Sequence, residues 1–172
     1  MLNFTVGPVM SPSEVLEVSA KSAPYFRTPE FSQVMLENER IMLDLLSAPK
    51  DSRCVFLTAS GTGAMEAAVM SVLAPAERVA VVNGGSFGQR FVDLCQLHGH
   101  NVNEIKLEFG RQVTRKNLED AVESGCGALL VNMHETSSGL LYDMRLLSEF
   151  CREREMLLIV DAVSAFIAEE ID

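Results

Sequence analysis

From residue 53 onwards, short apolar runs alternate with segments whose apolar residues recur at helical spacing. The short runs are rich in β-branched residues, which favours strands. The pattern predicts strands over residues 53–59, 78–83, 101–107, 128–133 and 157–163. It predicts helices between them over residues 61–73, 86–99, 114–124 and 143–156.

Short apolar strands that alternate with helices are typical of right-handed βαβ units, so we expect an α/β fold with a mainly parallel sheet covered on both faces. The first 50 residues do not show this alternation of strands and helices. An irregular arm is followed there by a short helix and then by a second helix, which has Thr28 as its N-cap and Pro29 at its first position. We therefore predict an arm with helices over residues 1–50 and the α/β domain over residues 51–172. No helix follows the last strand to cover it, so we expect the front part of a longer protein.

Composition and charge argue against several classes of protein. The 172 residues are 48% hydrophobic and 22% charged, with a net charge of −10, which is ordinary for a globular chain without a nucleic-acid-binding stripe. No apolar run approaches the roughly 20 residues of a membrane helix, and the N-terminus lacks the features of a signal peptide. The four cysteines are widely spaced. We expect free thiols and a cytoplasmic protein.

Four unusual features follow or end the predicted strands, at the edge where ligands bind in open parallel sheets. The first is Ser60-Gly61-Thr62-Gly63, which opens a helix with free N–H groups and two hydroxyls. This composition suits a phosphate, although a simple capped turn accounts for it as well. A nicotinamide dinucleotide fold would prefer G-x-G-x-x-G here, so a mononucleotide or a phosphate ester fits better.

The other three features add a ring, hydroxyls and a carboxylate. Phe87, in a glycine-rich turn, either stacks on a planar ligand or packs against its own helix. The hydroxyls of residues 136–138 suit a polar ligand or a plain polar loop. Asp161 closes an apolar strand, where it either caps the next turn or pairs with a protonated ring nitrogen. Together with the phosphate cradle, these groups describe pyridoxal phosphate.

The same segments, taken in order, resemble the class V aminotransferases of fold type I. The branch they resemble contains the alanine–glyoxylate, serine–pyruvate and 2-aminoethylphosphonate–pyruvate transaminases. The matching segments are FTVGPVMSPSEV, FRTPEF, ASGTGAMEAAV, NGGSFGQR, HETSSGLL and IVDAVSAF. Phe26 stands where the family usually has histidine. The resemblance implies a three-layer αβα large domain that is truncated on its C-terminal side, without the small C-terminal domain.

Carried over by position, the resemblance implies a set of residues that bind pyridoxal phosphate. The residues that would hold its phosphate are Ser60, Gly61 and Thr62. The residues that would contact its ring are Phe87 and Val163 on the two faces, Thr136 near the ring hydroxyl and Asp161 at the pyridine nitrogen. Because members of the family build each site at a subunit interface, the resemblance also implies a homodimer.

The family's Schiff-base lysine lies beyond the position of Asp172, as does the arginine that binds the substrate carboxylate. The four lysines of this chain are Lys21, Lys50, Lys106 and Lys116. Lys21 and Lys116 are predicted in helices, Lys50 before the first strand and Lys106 within the third strand. None of the four is predicted at the ligand-binding edge. We therefore expect no catalytic residue and no turnover in these 172 residues.

The function implied by the resemblance is the transfer of an amino group from an amino acid or aminophosphonate to a 2-oxo acid such as pyruvate or glyoxylate. A lyase or desulfurase that uses the same cofactor is one alternative. A non-catalytic phosphate-binding or nucleotide-binding α/β domain is another, because a fold alone does not set function. We expect no metal site at His98 and His100, since neither a matching acid nor a cysteine accompanies them.

Overall fold

The computed structural model describes residues 2–3, 5, 7, 9–122 and 125–169. It divides into two compact units, one of Met1–Phe56 with Glu169–Asp172 and one of Leu57–Ala168. In the first unit, α1 covers Ser13–Ser19 and α2 covers Pro29–Leu45. The hydroxyl oxygen of Thr28 accepts a hydrogen bond from the backbone N–H of Phe31 at 3.2 Å. The predicted cap of α2 is therefore confirmed.

The second unit contains the sheet and most of the helices. Its elements are α3 (Gly61–Val72), β1 (Arg78–Asn83), α4 (Ser86–Leu97), β2 (Asn101–Lys106), α5 (Arg115–Val122), β3 (Ala128–Asn132), β4 (His134–Glu135), β5 (Leu140–Leu141), α6 (Met144–Glu153) and β6 (Leu157–Asp161). Four strands form one parallel sheet in the order β2-β1-β3-β6, and β4 pairs with β5 in a small antiparallel hairpin. The predicted α/β class is confirmed.

The two central strands explain the apolar runs that predicted them. Every residue of β3 is buried, and so is every residue of β1 after Arg78. On one face, Val79 and Val81 pack with residues of α3 and α4, while Ala80 and Val82 pack on the opposite face with residues of α5 and α6. The sheet is therefore covered by helices on both sides, as parallel sheets require.

The state of the cysteines and the length of the helices can be compared with what the composition predicted. All four cysteines are free. Burial raises the pKa of the Cys95 and Cys151 thiols to about 11, so these two thiols are protonated core groups at neutral pH. No helix in the described ranges is long and apolar enough to cross a membrane.

The secondary structure differs from the prediction in two segments, and one lysine lies elsewhere than predicted. Residues 53–59 form no strand, and Val55, Phe56 and Leu57 are 78%, 44% and 49% exposed. Their composition favours a strand, but a strand also needs a neighbour for its backbone N–H and C=O groups. The β4–β5 hairpin was missed because each strand is too short to show a pattern. Lys106 lies in a strand as predicted, but it is the last residue of β2 and therefore lies at the carboxyl edge of the sheet, where no lysine was expected.

Candidate functional site

The candidate site lies at the carboxyl edge of the parallel sheet. The strands β1, β2, β3 and β6 end there at Asn83, Lys106, Asn132 and Asp161. Since the N-termini of α3 and α4 and the hairpin β4–β5 contribute residues to the same region, the segments singled out in the sequence share one edge of the fold. This is where open α/β sheets bind ligands.

The phosphate cradle predicted at Ser60-Gly61-Thr62 is the first turn of α3. Ser60 is its N-cap, and the Ser60 hydroxyl oxygen accepts a hydrogen bond from Gly63 N–H at 3.2 Å. Within the described residues, the backbone N–H groups of Gly61 and Thr62 have no acceptor. The turn is thus both a capped helix start and a pair of free donors, so the two interpretations of this sequence do not compete.

Asp161 and Val163 lie next to this cradle. One oxygen of the Asp161 carboxylate accepts a hydrogen bond from Asn132 Nδ2 at 2.7 Å, and the other accepts one from the N–H of Val163 at 3.0 Å. A Cβ atom built on Gly61 would lie 3.3 Å from Cγ2 of Val163. Val163 therefore links the carboxylate to the first turn of α3, and a side chain at position 61 would fill the space between them.

Phe87 lies in the first turn of α4, and its side chain is partly buried. The guanidinium carbon of Arg90 is 4.7 Å from the centroid of the Phe87 ring, within the range of a cation–π contact. Nη1 of Arg90 also donates a hydrogen bond to Thr62 Oγ1 at 2.9 Å. Arg90 thus joins the aromatic residue to the phosphate cradle, a link that the sequence prediction did not include.

The N-terminus of α4 is held by a carboxylate that is fully buried. Glu135 has no exposed surface, and its oxygens accept hydrogen bonds from the N–H groups of Phe87 at 3.3 Å and Gly88 at 2.9 Å. The N–H and the hydroxyl of Ser137 also donate to Glu135, at 3.2 and 2.6 Å. A negative charge beside free N–H groups is the favourable arrangement at a helix start.

This carboxylate explains the glycine before α4. A Cβ atom on Gly85 would collide with the Ser137 hydroxyl and lie 2.6 Å from the carboxyl carbon of Glu135. Close approach of backbone and carboxylate therefore requires glycine at position 85.

Burial, together with the nearby Glu135 charge, raises the pKa of Tyr142 to about 12.

Thr136 is partly buried, and its hydroxyl shares a hydrogen bond with the hydroxyl of Ser164, in the loop after β6. The hydroxyl oxygen of Ser137 accepts a hydrogen bond from Ser86 N–H at 3.1 Å, and the hydroxyl of Ser138 donates to the carbonyl of Glu135 at 3.3 Å. Thr136 therefore connects the hairpin to the Asp161 loop. The hydrogen bonds of Ser137 and Ser138 stabilise the backbone and the side chain of Glu135 and the start of α4.

The sequence contained a signal for Arg90 but none for Glu135. Arg90 follows Phe87 by three positions on a helix, which places both side chains on one face. Glu135 contacts the N-terminus of helix α4, 47 residues earlier in the chain, and local sequence does not predict such a pairing.

The histidine pair that could have suggested a metal has a different contact: the side chain of His98 pairs with that of Glu66 at 2.9 Å. Across the described parts of the chain, no group of three potential ligands could hold a metal ion.

Comparisons with known proteins show which proteins this chain resembles in sequence and fold. The soluble hydrogenase 42 kDa subunit of Anabaena cylindrica is 31% identical over 96% of this chain and 44% of its own length. The crystal structure of alanine–glyoxylate aminotransferase from Nostoc sp. matches with a TM-score of 0.87 and 27% identity, over 94% of this chain and 43% of that one. A subgroup IV aspartate aminotransferase structure from Thermus thermophilus matches with a TM-score of 0.87 and 30% identity, over 96% of this chain and 47% of that one.

The chain spans less than half the length of these relatives. The matched structures confirm the predicted fold, the mainly parallel large-domain sheet of the fold type I aminotransferases. The family profile described as aminotransferase class-V matches residues 14–172. The chain therefore belongs to the class V aminotransferase family.

Proposed function

We propose that this chain is the N-terminal part of a pyridoxal-phosphate-dependent aminotransferase. The whole enzyme would move an amino group from an amino acid or aminophosphonate to a 2-oxo acid such as pyruvate or glyoxylate. The proposal depends on Val163, which lies beside Gly61 and donates its backbone N–H to Asp161. Val163 therefore brings an anion-binding helix start close to a carboxylate. These two groups match the phosphate and the pyridine nitrogen of the cofactor.

The donor set fits the cofactor. The free N–H groups of Gly61 and Thr62 suit a phosphate, with the hydroxyl of Thr62 beside them. The Asp161 carboxylate is partly exposed and accepts only two hydrogen bonds from the described residues, so it retains lone pairs for a ring N–H. Gly61 leaves the space beside Val163 open.

The chain's own residues would bind and orient the cofactor. Ser60, Gly61 and Thr62 would hold the phosphate, Phe87 and Val163 would pack on the two ring faces, and Thr136 would donate to or accept from the ring hydroxyl. Asp161 would keep a proton on the pyridine nitrogen, because a nearby negative charge favours the protonated form of a base. When bound, pyridoxal phosphate supplies an electron sink for the substrate's α-carbon electrons.

The proposed enzyme works as a homodimer in a reducing compartment such as the cytoplasm. The free cysteines suit that compartment. Several apolar side chains of α1 and α2 are exposed, among them Leu16, Val34, Ile41 and Leu45, which suits burial against a second subunit. Sedimentation of the full-length protein would give twice the chain mass. A fully active monomer would overturn the dimer.

The function is tested on the full-length protein by spectroscopy and by assay. We expect a visible absorption band of bound pyridoxal phosphate, and formation of alanine or glycine when an amino donor is supplied with pyruvate or glyoxylate. Breakdown of the amino acid without a new amino acid would instead indicate a lyase or desulfurase. A protein that binds no cofactor would overturn the proposal and leave a non-catalytic α/β domain.

A further inference from the structure

Arg90 contacts two predicted cofactor-binding residues that come from different helices. Its Nη1 lies 2.9 Å from Thr62 Oγ1, in the first turn of α3, and its guanidinium carbon lies 4.7 Å from the ring centroid of Phe87, in the first turn of α4. Since the guanidinium is planar and carries several donors, it can stack on a ring and donate a hydrogen bond at once.

The hydrogen bond fixes what the Thr62 hydroxyl can do. A hydroxyl has one donor and two acceptor sites. Because Arg90 donates to the Thr62 oxygen, the hydroxyl hydrogen must point away from Arg90 and is free for another acceptor. A phosphate bound at the free N–H groups of Gly61 and Thr62 would be such an acceptor.

Among the residues that the structure describes, the Arg90 cation has no carboxylate partner of its own. None of the ion pairs found among the described residues includes Arg90. Arg90 is also partly buried, so water screens its charge incompletely. A positive charge in that position attracts an anion to the first turn of α3, in addition to the helix dipole.

We propose that Arg90 is a positioning residue for the cofactor: it directs the Thr62 hydroxyl towards the phosphate and covers the face of Phe87 that the pyridine ring does not use. The inference rests on the proposed function, since it requires pyridoxal phosphate as the ligand. It predicts that loss of Arg90 weakens binding through the phosphate more than through the ring.

The test compares two ligands that differ only in the phosphate. Dissociation constants of pyridoxal phosphate and of pyridoxal are measured on full-length apoprotein for the wild type, Arg90→Gln, Thr62→Val and the double variant. We expect Arg90→Gln to weaken pyridoxal phosphate about tenfold, the effect of losing one charge-assisted hydrogen bond, and pyridoxal less than about twofold. The double variant should lose less than the sum of the two single changes, because the Arg90–Thr62 hydrogen bond is shared, but more than Thr62→Val alone, because the Arg90 charge also attracts the phosphate directly.

Arg145→Gln is the matched control, because Arg145 lies exposed on α6 in an i,i+4 pair with Glu149 and its loss removes the same charge elsewhere. Arg90→Lys is the second variant; it keeps the cation without the planar fork and should weaken pyridoxal phosphate less than Arg90→Gln. Circular dichroism establishes that each variant is folded.

The outcomes separate the inference from the function on which it rests. A wild type that binds pyridoxal phosphate, with an Arg90→Gln variant that binds both ligands as the wild type does, overturns the role of Arg90 alone. Equal weakening of both ligands also overturns it, since that result indicates a general structural role. A wild type that binds neither ligand overturns the proposed function itself.

Discussion

At the scale of single residues, two carboxylates near the carboxyl edge of the sheet differ in what surrounds them. Glu135 has no exposed surface and accepts four hydrogen bonds, from Phe87, Gly88 and twice from Ser137. Asp161 is partly exposed and accepts two from the described residues, Asn132 and Val163. Glu135 is thus occupied by the protein, whereas Asp161 can still accept a donor from a ligand.

This difference predicts the effect of Asp161→Asn in the full-length protein. The amide keeps the shape but loses the charge that would hold the proton on a pyridine nitrogen. We expect amino transfer to fall on the order of 100-fold or more, the usual effect of losing a preorganised electrostatic contact, while part of the cofactor stays bound. Steady-state amino-transfer rates and the cofactor absorption band measure the two effects.

Asp120→Asn is the control for that experiment. Asp120 lies exposed on α5, where it pairs with Lys116, so the same chemical change occurs on a helix that carries no predicted cofactor contact. It should leave the rate within a factor of about two, as surface ion pairs contribute little. Wild-type turnover in the Asp161→Asn variant would remove Asp161 from the site.

The place of several candidate-site residues in the fold was predictable, because these residues end strands or begin helices. Ser60, Phe87 and Asp161 stand where an apolar run stops, and their residue types are unusual for such a position. Asn132 and Glu135 were not predictable, since their importance comes from contacts to segments far along the chain. The distant hydrogen-bond partners of a polar residue can be predicted only when the order of the strands is known.

At the scale of elements, the start of α4 depends on the buried carboxylate of Glu135. Glu135→Gln would replace one acceptor oxygen by an NH₂ group, which would face N–H and O–H donors from Phe87, Gly88 and Ser137. At least one buried donor would lose its acceptor. We expect the free energy of unfolding to fall by roughly 2 kcal/mol, measured by urea denaturation of the full-length protein.

The control is Glu149→Gln, an exposed position on α6 whose partner is Arg145. It should change the free energy of unfolding by less than about 0.5 kcal/mol, which is typical of surface ion pairs. If the two variants were equally stable, Glu135 would not hold the start of α4. Because Phe87 is in that first turn, the Glu135→Gln variant should also bind pyridoxal phosphate more weakly.

The elements differ in how well the sequence predicted them. The strands β1 and β3 were predicted because burial on both faces selects an unbroken apolar run. The caps Thr28 and Ser60 were predicted because a side-chain oxygen at a helix start has a local partner. Residues 53–59 have the same β-branched composition, yet they form no strand, since composition does not supply a pairing neighbour.

At the scale of the whole molecule, the strand order separates the lysines of the second unit from Asp161. Lys106 ends β2 and Asp161 ends β6, the two outer strands of the order β2-β1-β3-β6. Three spacings between neighbouring parallel strands amount to roughly 14 Å, which exceeds the reach of a lysine side chain. Lys116 lies on α5, which packs on β2, and it pairs with Asp120.

We therefore predict that these 172 residues alone form no stoichiometric lysine adduct with pyridoxal phosphate and transfer no amino group. The geometric reason applies to Lys106 and Lys116, while Lys21 and Lys50 belong to the other unit. Phosphate, ring and nitrogen contacts would give reversible binding, but amino transfer also needs a lysine amine that reaches the cofactor and can carry the substrate's α-proton. The measurement is borohydride reduction with peptide mapping and an amino-transfer assay, with full-length protein as the positive control. One fully modified lysine together with turnover would show that the chain holds a complete site.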